Sequence, residues 1–132
     1  MEIVYKINAP LCSDEVSKLF KSSGIKRPVD NLERIQRMIE NANVIISAWE
    51  GVKLVGIARA ITDFSYCCYL SDLAVSKEYQ RTGIGKELVR CLRDHLGEEV
   101  ALLLLSAPTA MEYYPLLGFE QTEKAFLIRR VK

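Results

Sequence analysis

One stretch constrains the fold more than any other: Val75-Ser76-Lys77-Glu78-Tyr79-Gln80-Arg81-Thr82-Gly83-Ile84-Gly85-Lys86. An apolar segment, Leu70–Val75, runs into it. Out of it Ile84, Leu88, Leu92 and Leu96 recur every fourth residue, with Lys86, Glu87, Arg90, Arg93 and Asp94 on the other sides. The first segment reads as a strand and the second as an amphipathic helix that stops at Gly97. The junction is therefore a strand-to-helix turn carrying two glycines. The first amides of a helix have no intrahelical acceptor, and the helix dipole adds roughly half a positive charge there. Phosphate oxygens suit that setting. Gly83 and Gly85 let the main chain approach an anion with no Cβ in the way, and Arg81 and Lys86 add charge beside them.

The remaining pattern places this junction in a mixed α/β fold. Glu2–Ile7 alternates as a strand and Pro10 stops it. Ser13 is the expected cap of a helix with Val16, Leu19 and Phe20 on one face, ended by Gly24. Asp30 and Glu33 have capping-box spacing before a second helix through Leu32, Ile35, Met38 and Ile39. Val44–Trp49 and Leu54–Ile61 flank Glu50-Gly51 as a hairpin. Val100–Leu105 lacks alternation, which predicts a central strand buried on both faces. Thr109–Leu117 reads as a brief or kinked helical stretch because it contains Pro115. Ala125–Val131 reads as a terminal strand. The predicted order is β-α-α-β-β-β-α-β-α-β, helices against a sheet whose front half is antiparallel, in one domain over residues 1–132.

Composition narrows the function. With 18 basic and 17 acidic residues, the chain is no broadly basic nucleic-acid binder. Its longest apolar run, Val100–Leu105, is six residues, far short of a bilayer span. The expectation is a cytoplasmic protein without a secretory leader. Cys12, Cys67, Cys68 and Cys91 form no C-x-x-C pair, and His95 is the lone histidine. Reduced, partly buried thiols and no metal site are expected. His95 fits the C-terminal end of its helix, where the dipole favours it.

Two phosphate-binding patterns fail at the glycine turn. A P-loop needs glycine where Gln80 stands and Ser or Thr where Glu87 stands, and a dinucleotide fingerprint needs glycine where Leu88 stands. What remains is Gln-x-x-Gly-x-Gly, from Gln80 through Gly83 to Gly85. It resembles the pyrophosphate-binding motif of the GNAT superfamily, the acyl-CoA-dependent N-acetyltransferases. Downstream, Ala110-Met111-Glu112-Tyr113-Tyr114-Pro115-Leu116-Leu117-Gly118-Phe119 resembles the family's Ala-x-x-Phe-Tyr-x-x-x-Gly-Phe segment. The order of elements follows the family over nearly the whole chain.

The resemblance implies a mostly antiparallel sheet flanked by helices, with a splayed parallel pair formed by Leu70–Val75 and Val100–Leu105. It implies acetyl-CoA as cosubstrate, with its pantetheine arm along Leu73, Ala74 and Val75. The pyrophosphate would then lie on Gln80, Arg81, Thr82, Gly83, Ile84, Gly85 and Lys86. Ser106 stands where relatives frequently carry asparagine or another small polar residue touching the cofactor. Core packing is the other reading of Leu73 and Val75.

Acetyl transfer to an amine must deprotonate the nitrogen, stabilise an oxyanion and protonate the leaving thiolate. Tyr114 matches the family tyrosine often given the last role. A phenol near pKa ~10 can donate to a thiolate whose conjugate thiol lies near ~8.5. Packing or lining the CoA site is the alternative for Tyr114, and Tyr113 is expected to pack. A backbone N–H near Leu73–Val75 is the expected oxyanion donor. Asp72 is a candidate base, or else a solvated or salt-bridged strand residue.

The acceptor is expected to be an amine, a small one being favoured by the limited room in the chain, with neither nucleic acid nor membrane as partner. A protein lysine or N-terminal acetyltransferase and a non-catalytic acyl-CoA-binding module are the alternatives. Acceptor choice in the family falls to the segment Ser13–Asn41 and the loop Asp63–Cys67, where mixed charge selects no class. Relatives are frequently dimers through C-terminal strands, which makes Ala125–Val131 a candidate homodimer contact, or else a sheet edge guarded by Arg129, Arg130 and Lys132.

Overall fold

The computed structural model describes residues 2–132. Its elements are β1 (Val4–Ile7), α1 (Ser13–Ser23), α2 (Leu32–Glu40), β2 (Val44–Glu50), β3 (Lys53–Thr62), β4 (Cys67–Val75), α3 (Ile84–Leu96) and β5 (Ala101–Leu103), with short 3-10 turns at Lys77–Tyr79, Pro108–Ala110 and Tyr114–Leu117. The five strands lie side by side in chain order, the first four antiparallel and β5 parallel to β4. This is the mixed, mostly antiparallel sheet expected from the sequence.

β2 shows why the sheet holds helices on both faces. Every residue from Val44 to Trp49 is buried. Val44, Ile46 and Ala48 join Leu88, Leu92 and Leu96 of α3 on one face. Ile45 and Trp49 join Val16, Phe20 and Ile35 of α1 and α2 on the other. An unbroken apolar strand is what two covered faces demand.

β4 carries the consequential irregularity. Ala60 pairs with Leu70 but Arg59 pairs with Asp72, so Ser71 is an extra residue bulged out of the ladder. A bulge shifts which side of the sheet each later side chain faces. Before it, Cys68 and Leu70 pack into the α3 core. After it, Ala74 belongs to the α1–α2 core while Leu73 and Val75 lie against the α3 side. The loop before β4 is closed by Asp63, whose Oδ1 accepts the amides of Ser65, Tyr66 and Cys67 at 2.9, 2.8 and 3.1 Å. Those amides hold its carboxyl down at about 2.

Four expectations are corrected. Cys12, not Ser13, caps α1, its Sγ accepting the Glu15 amide at 3.5 Å. Asn31, not Asp30, caps α2, accepting the Arg34 amide at 3.1 Å. Both helices begin one residue from the expected cap, because the capping atom only needs to reach the amide of the third residue. Val100–Leu105 is not a central strand. Only Ala101–Leu103 pair, at the sheet's edge, with Leu102 and Leu104 turned to the α3 core and Leu103 and Leu105 each 47% exposed. The helices α1 and α2 cover the middle of the sheet and leave that face of β5 open. Ala125–Val131 is not a strand: among the described residues it pairs with no neighbour, and Phe126 and Ile128 are 98% and 99% exposed. Alternation supplies a face, but a strand exists only where an edge accepts its hydrogen bonds.

Candidate active site

Parallel pairing between β4 and β5 stops after Tyr69 meets Leu103. Beyond that point the two chains part, and a cavity of about 1020 Å³ opens between Leu70–Val75 and Leu104–Pro108. The splayed pair that the family resemblance implies is thus present. β4 keeps its ladder with β3 through Val75, so its other edge faces the cavity without a strand partner.

At the far end of β4 the chain enters the glycine turn. Gln80 folds back, its Nε2 donating to the carbonyls of Val75 at 2.9 Å and Ser23 at 3.3 Å, which pins the turn to the strand. Thr82 Oγ1 donates to the Tyr79 carbonyl at 2.5 Å. Arg81 and Gly83 both take positive φ, +65° and +89°. Glycine is required at 83 because that left-handed conformation sets the cap of α3. Gly83 brings no side chain to cap the helix, so the amides that open α3 are left for another acceptor. Gln80, Arg81, Gly83, Ile84, Gly85 and Lys86 all line the cavity. The structure gathers the sequence-selected residues here; Thr82 supports the turn from outside the lining.

Gly85 is tight for a different reason: a Cβ on it would collide with the hydroxyl of Tyr113. The Tyr113 side chain, expected only to pack, therefore reaches the start of α3. Its neighbour Tyr114 lies deeper, edge-on to Tyr113 at 5.3 Å and to Phe119 at 5.8 Å between ring centroids. Burial raises the pKa of both phenols above the ordinary 10; the Arg27 charge opposes this at Tyr114 with the smaller effect. Both therefore hold their protons through neutral pH. Ser106 sits on the β5 side of the cavity and donates to the Ala107 carbonyl at 2.7 Å. A smaller cavity, about 220 Å³, lies along β5 and shares Leu104, Leu105, Ser106 and Tyr114 with the larger one.

Asp72 takes the salt-bridged of its two readings. The bulge at Ser71 turns it away from the cavity; its side chain is fully buried, with Oδ1 accepting from Arg27 Nε at 2.5 Å and Oδ2 from Arg59 Nε. Arg27 also donates to the Ser71 carbonyl at 2.7 Å, and Arg59 to the Met38 carbonyl at 3.2 Å and Ser71 Oγ at 2.9 Å. With each oxygen accepting a guanidinium N–H and the side chain fully buried, Asp72 ties Arg27, and with it the α1–α2 loop, to β4. Arg27 lines the cavity, whereas the sequence placed it only among the mixed charges of Ser13–Asn41. Nothing local marks it, since its partner lies 45 positions away.

Comparison with known proteins agrees with this geometry. Residues 12–130 match the family model described as an acetyltransferase (GNAT) domain. The chain is 30% identical over 112 residues to ycf52 of Pyropia yezoensis, described as an uncharacterized N-acetyltransferase, covering 80% of this chain and 63% of the relative. It thus spans somewhat under two thirds of that relative's length. A probable acetyltransferase from meticillin-resistant Staphylococcus aureus has the same fold, with a TM-score of 0.82 at 22% identity over 99% of both chains. So does the aminoglycoside N-acetyltransferase AAC(6')-Iy, solved in complex with CoA, with a TM-score of 0.72 at 16% identity over 99% of this chain and 96% of that one. The identities to both solved structures speak to fold alone, but the family model spans nearly the whole chain, and on that ground the chain belongs to the GNAT acetyltransferase domain family.

Proposed function

We propose that the protein is an acetyl-CoA-dependent N-acetyltransferase that passes the acetyl group directly to a primary amine, a small molecule in preference to a protein lysine. One observation carries the reading: the cleft between the parted strands runs from the uncapped start of α3 to Tyr114. The opening amides of α3, with Arg81 and Lys86 beside them, would hold the diphosphate. The free edge of β4 at Leu73–Val75 offers main-chain donors and acceptors to the amides of the pantetheine arm. That places the thioester toward Tyr114. The amine nitrogen bonds to the acyl carbon, the carbon–sulfur bond breaks, and the Tyr114 phenol gives its proton to the departing thiolate. The amine's own proton leaves to water, and the phenol is reprotonated from solvent. The CoA complex of AAC(6')-Iy, a protein of the same fold, supports this assignment.

Gly85→Leu tests the reading. The new side chain would meet the Tyr113 hydroxyl and fill the space over the opening turn. The helix itself should tolerate it, since glycine costs about 1 kcal/mol against good helix formers, and Tyr113 is exposed enough to swing aside. Calorimetry should show affinity for acetyl-CoA weakened about 30-fold or more, roughly 2 kcal/mol, in a protein with near-native thermal unfolding. Undiminished binding would sink the assignment. Tight binding by the unaltered protein without thiol release to any amine would instead favour a non-catalytic acyl-CoA-binding module.

A further inference from the structure

We infer that the acceptor is a small primary amine bearing an anionic group, a carboxylate or a phosphate, and that Arg27 binds that group. The inference rests on the acetyl-transfer reading and adds the class of acceptor. Among the described residues four cations line the large cavity, Lys26, Arg27, Arg81 and Lys86, and no aspartate or glutamate does. Arg81 and Lys86 flank the opening turn of α3, where the diphosphate belongs. Lys26 and Arg27 come from the separate loop between α1 and α2. Arg27 is fastened to Ser71, four residues before Val75 and so about 13 Å back along an extended strand. That cation stands well away from the diphosphate end.

The charge at this spot is unbalanced. Arg27 and Arg59 share one carboxylate, Asp72. Their other acceptors are neutral: the carbonyls of Lys26, Ser71 and Met38 and the Ser71 hydroxyl. The three side chains therefore keep a net charge of about +1 in a poorly solvated place, where an unpaired charge is costly and an incoming anion is attracted. Arg59 is shut away at 8% exposure, whereas the Arg27 side chain is 26% exposed and lines the cavity. A guanidinium has five N–H donors, and Arg27 uses three, through Nε, Nη1 and Nη2. Two remain for an oxyanion, and Asp72 holds the group in place to offer them.

The same charge bears on the amine. A cationic surrounding disfavours the ammonium form, which helps a nitrogen shed its proton where no free carboxylate waits to take it. It works against polycationic acceptors, which bring further positive charge into a cavity with no acid to receive it.

Matched pairs of amines decide the matter: α-amino acids against their carboxamides, and O-phosphoethanolamine against ethanolamine, with spermidine and kanamycin as polycations. Thiol release from acetyl-CoA is measured for each. The anionic member of at least one pair should exceed its uncharged partner tenfold or more in kcat/KM, and the polycations should trail. Whichever pair shows the larger ratio separates carboxylate from phosphate. In Arg27→Gln that ratio should collapse toward one, and Arg27→Lys should restore part of it. Preference for uncharged or polycationic amines, or an unchanged ratio in Arg27→Gln, would overturn the inference alone; no turnover of any amine by protein that binds acetyl-CoA would overturn the acetyl-transfer reading and this one with it. Failure to bind acetyl-CoA at all strikes the acetyl-transfer reading first and this one with it. The ratios of the unaltered protein decide even if Arg27→Gln does not fold.

Discussion

Tyr114→Phe should slow thiol release about 100-fold or more, the usual weight of a positioned proton donor, while acetyl-CoA affinity stays nearly intact. The substitution removes one oxygen and leaves the ring, so the edge-on contacts with Tyr113 and Phe119 survive. The pH profile gives a second signature. Burial raises the phenol's pKa above its ordinary 10, so the group is protonated and competent throughout neutral pH. The rate should fall on its account only above pH 10, as the proton is lost. In Tyr114→Phe that alkaline limb should disappear along with most of the turnover. Stopped-flow or steady-state thiol detection from about pH 6 to about pH 11 checks both. Full turnover with the phenylalanine would remove Tyr114 from the chemistry and leave it a wall of the cleft.

Asp72→Asn should cost about 3–5 kcal/mol of folding stability, the range for removing one partner of a buried ion pair. Two guanidinium groups depend on this one carboxylate, and its side chain is fully buried. The amide that replaces it carries no charge to offset Arg59, which has no exit to solvent, and the loop held by Arg27 loses its anchor. Urea unfolding monitored by circular dichroism would measure the loss. A double variant with Arg59→Met should recover part of it, because the stranded charge is then gone. A base at this position would behave oppositely: Asp72→Asn would fold normally and lose turnover. That outcome would return Asp72 to the catalytic step.

These two residues mark what a short segment carries and what it does not. Tyr114 came from the resemblance of Ala110–Phe119 to the family's Ala-x-x-Phe-Tyr-x-x-x-Gly-Phe segment, all within one short stretch, and it lines the cleft. Asp72 was visible as a residue and ambiguous as a role. Its surroundings come from Arg27 and Arg59, 45 and 13 positions away. The bulge at Ser71 that turns it inward leaves no mark in apolar spacing. Had the strand been regular, Asp72 and Leu73 would have exchanged faces, and the carboxylate would have lain on the α3 side of the sheet.

The sequence by itself determined the strand–glycine turn–helix junction, the apolar faces of the three helices and the β2–β3 hairpin. Each of these depends on side chains within a few positions of one another, where helix period, strand alternation and cap chemistry act. Only the tertiary structure decided where β4 and β5 separate, that β5 forms an edge, that Ala125–Val131 finds no strand to pair with, and that three charged side chains from distant positions meet beside the cleft. Those outcomes depend on which backbone edges meet and which faces are covered, and they are settled by the competition of the whole chain for burial and hydrogen-bond partners.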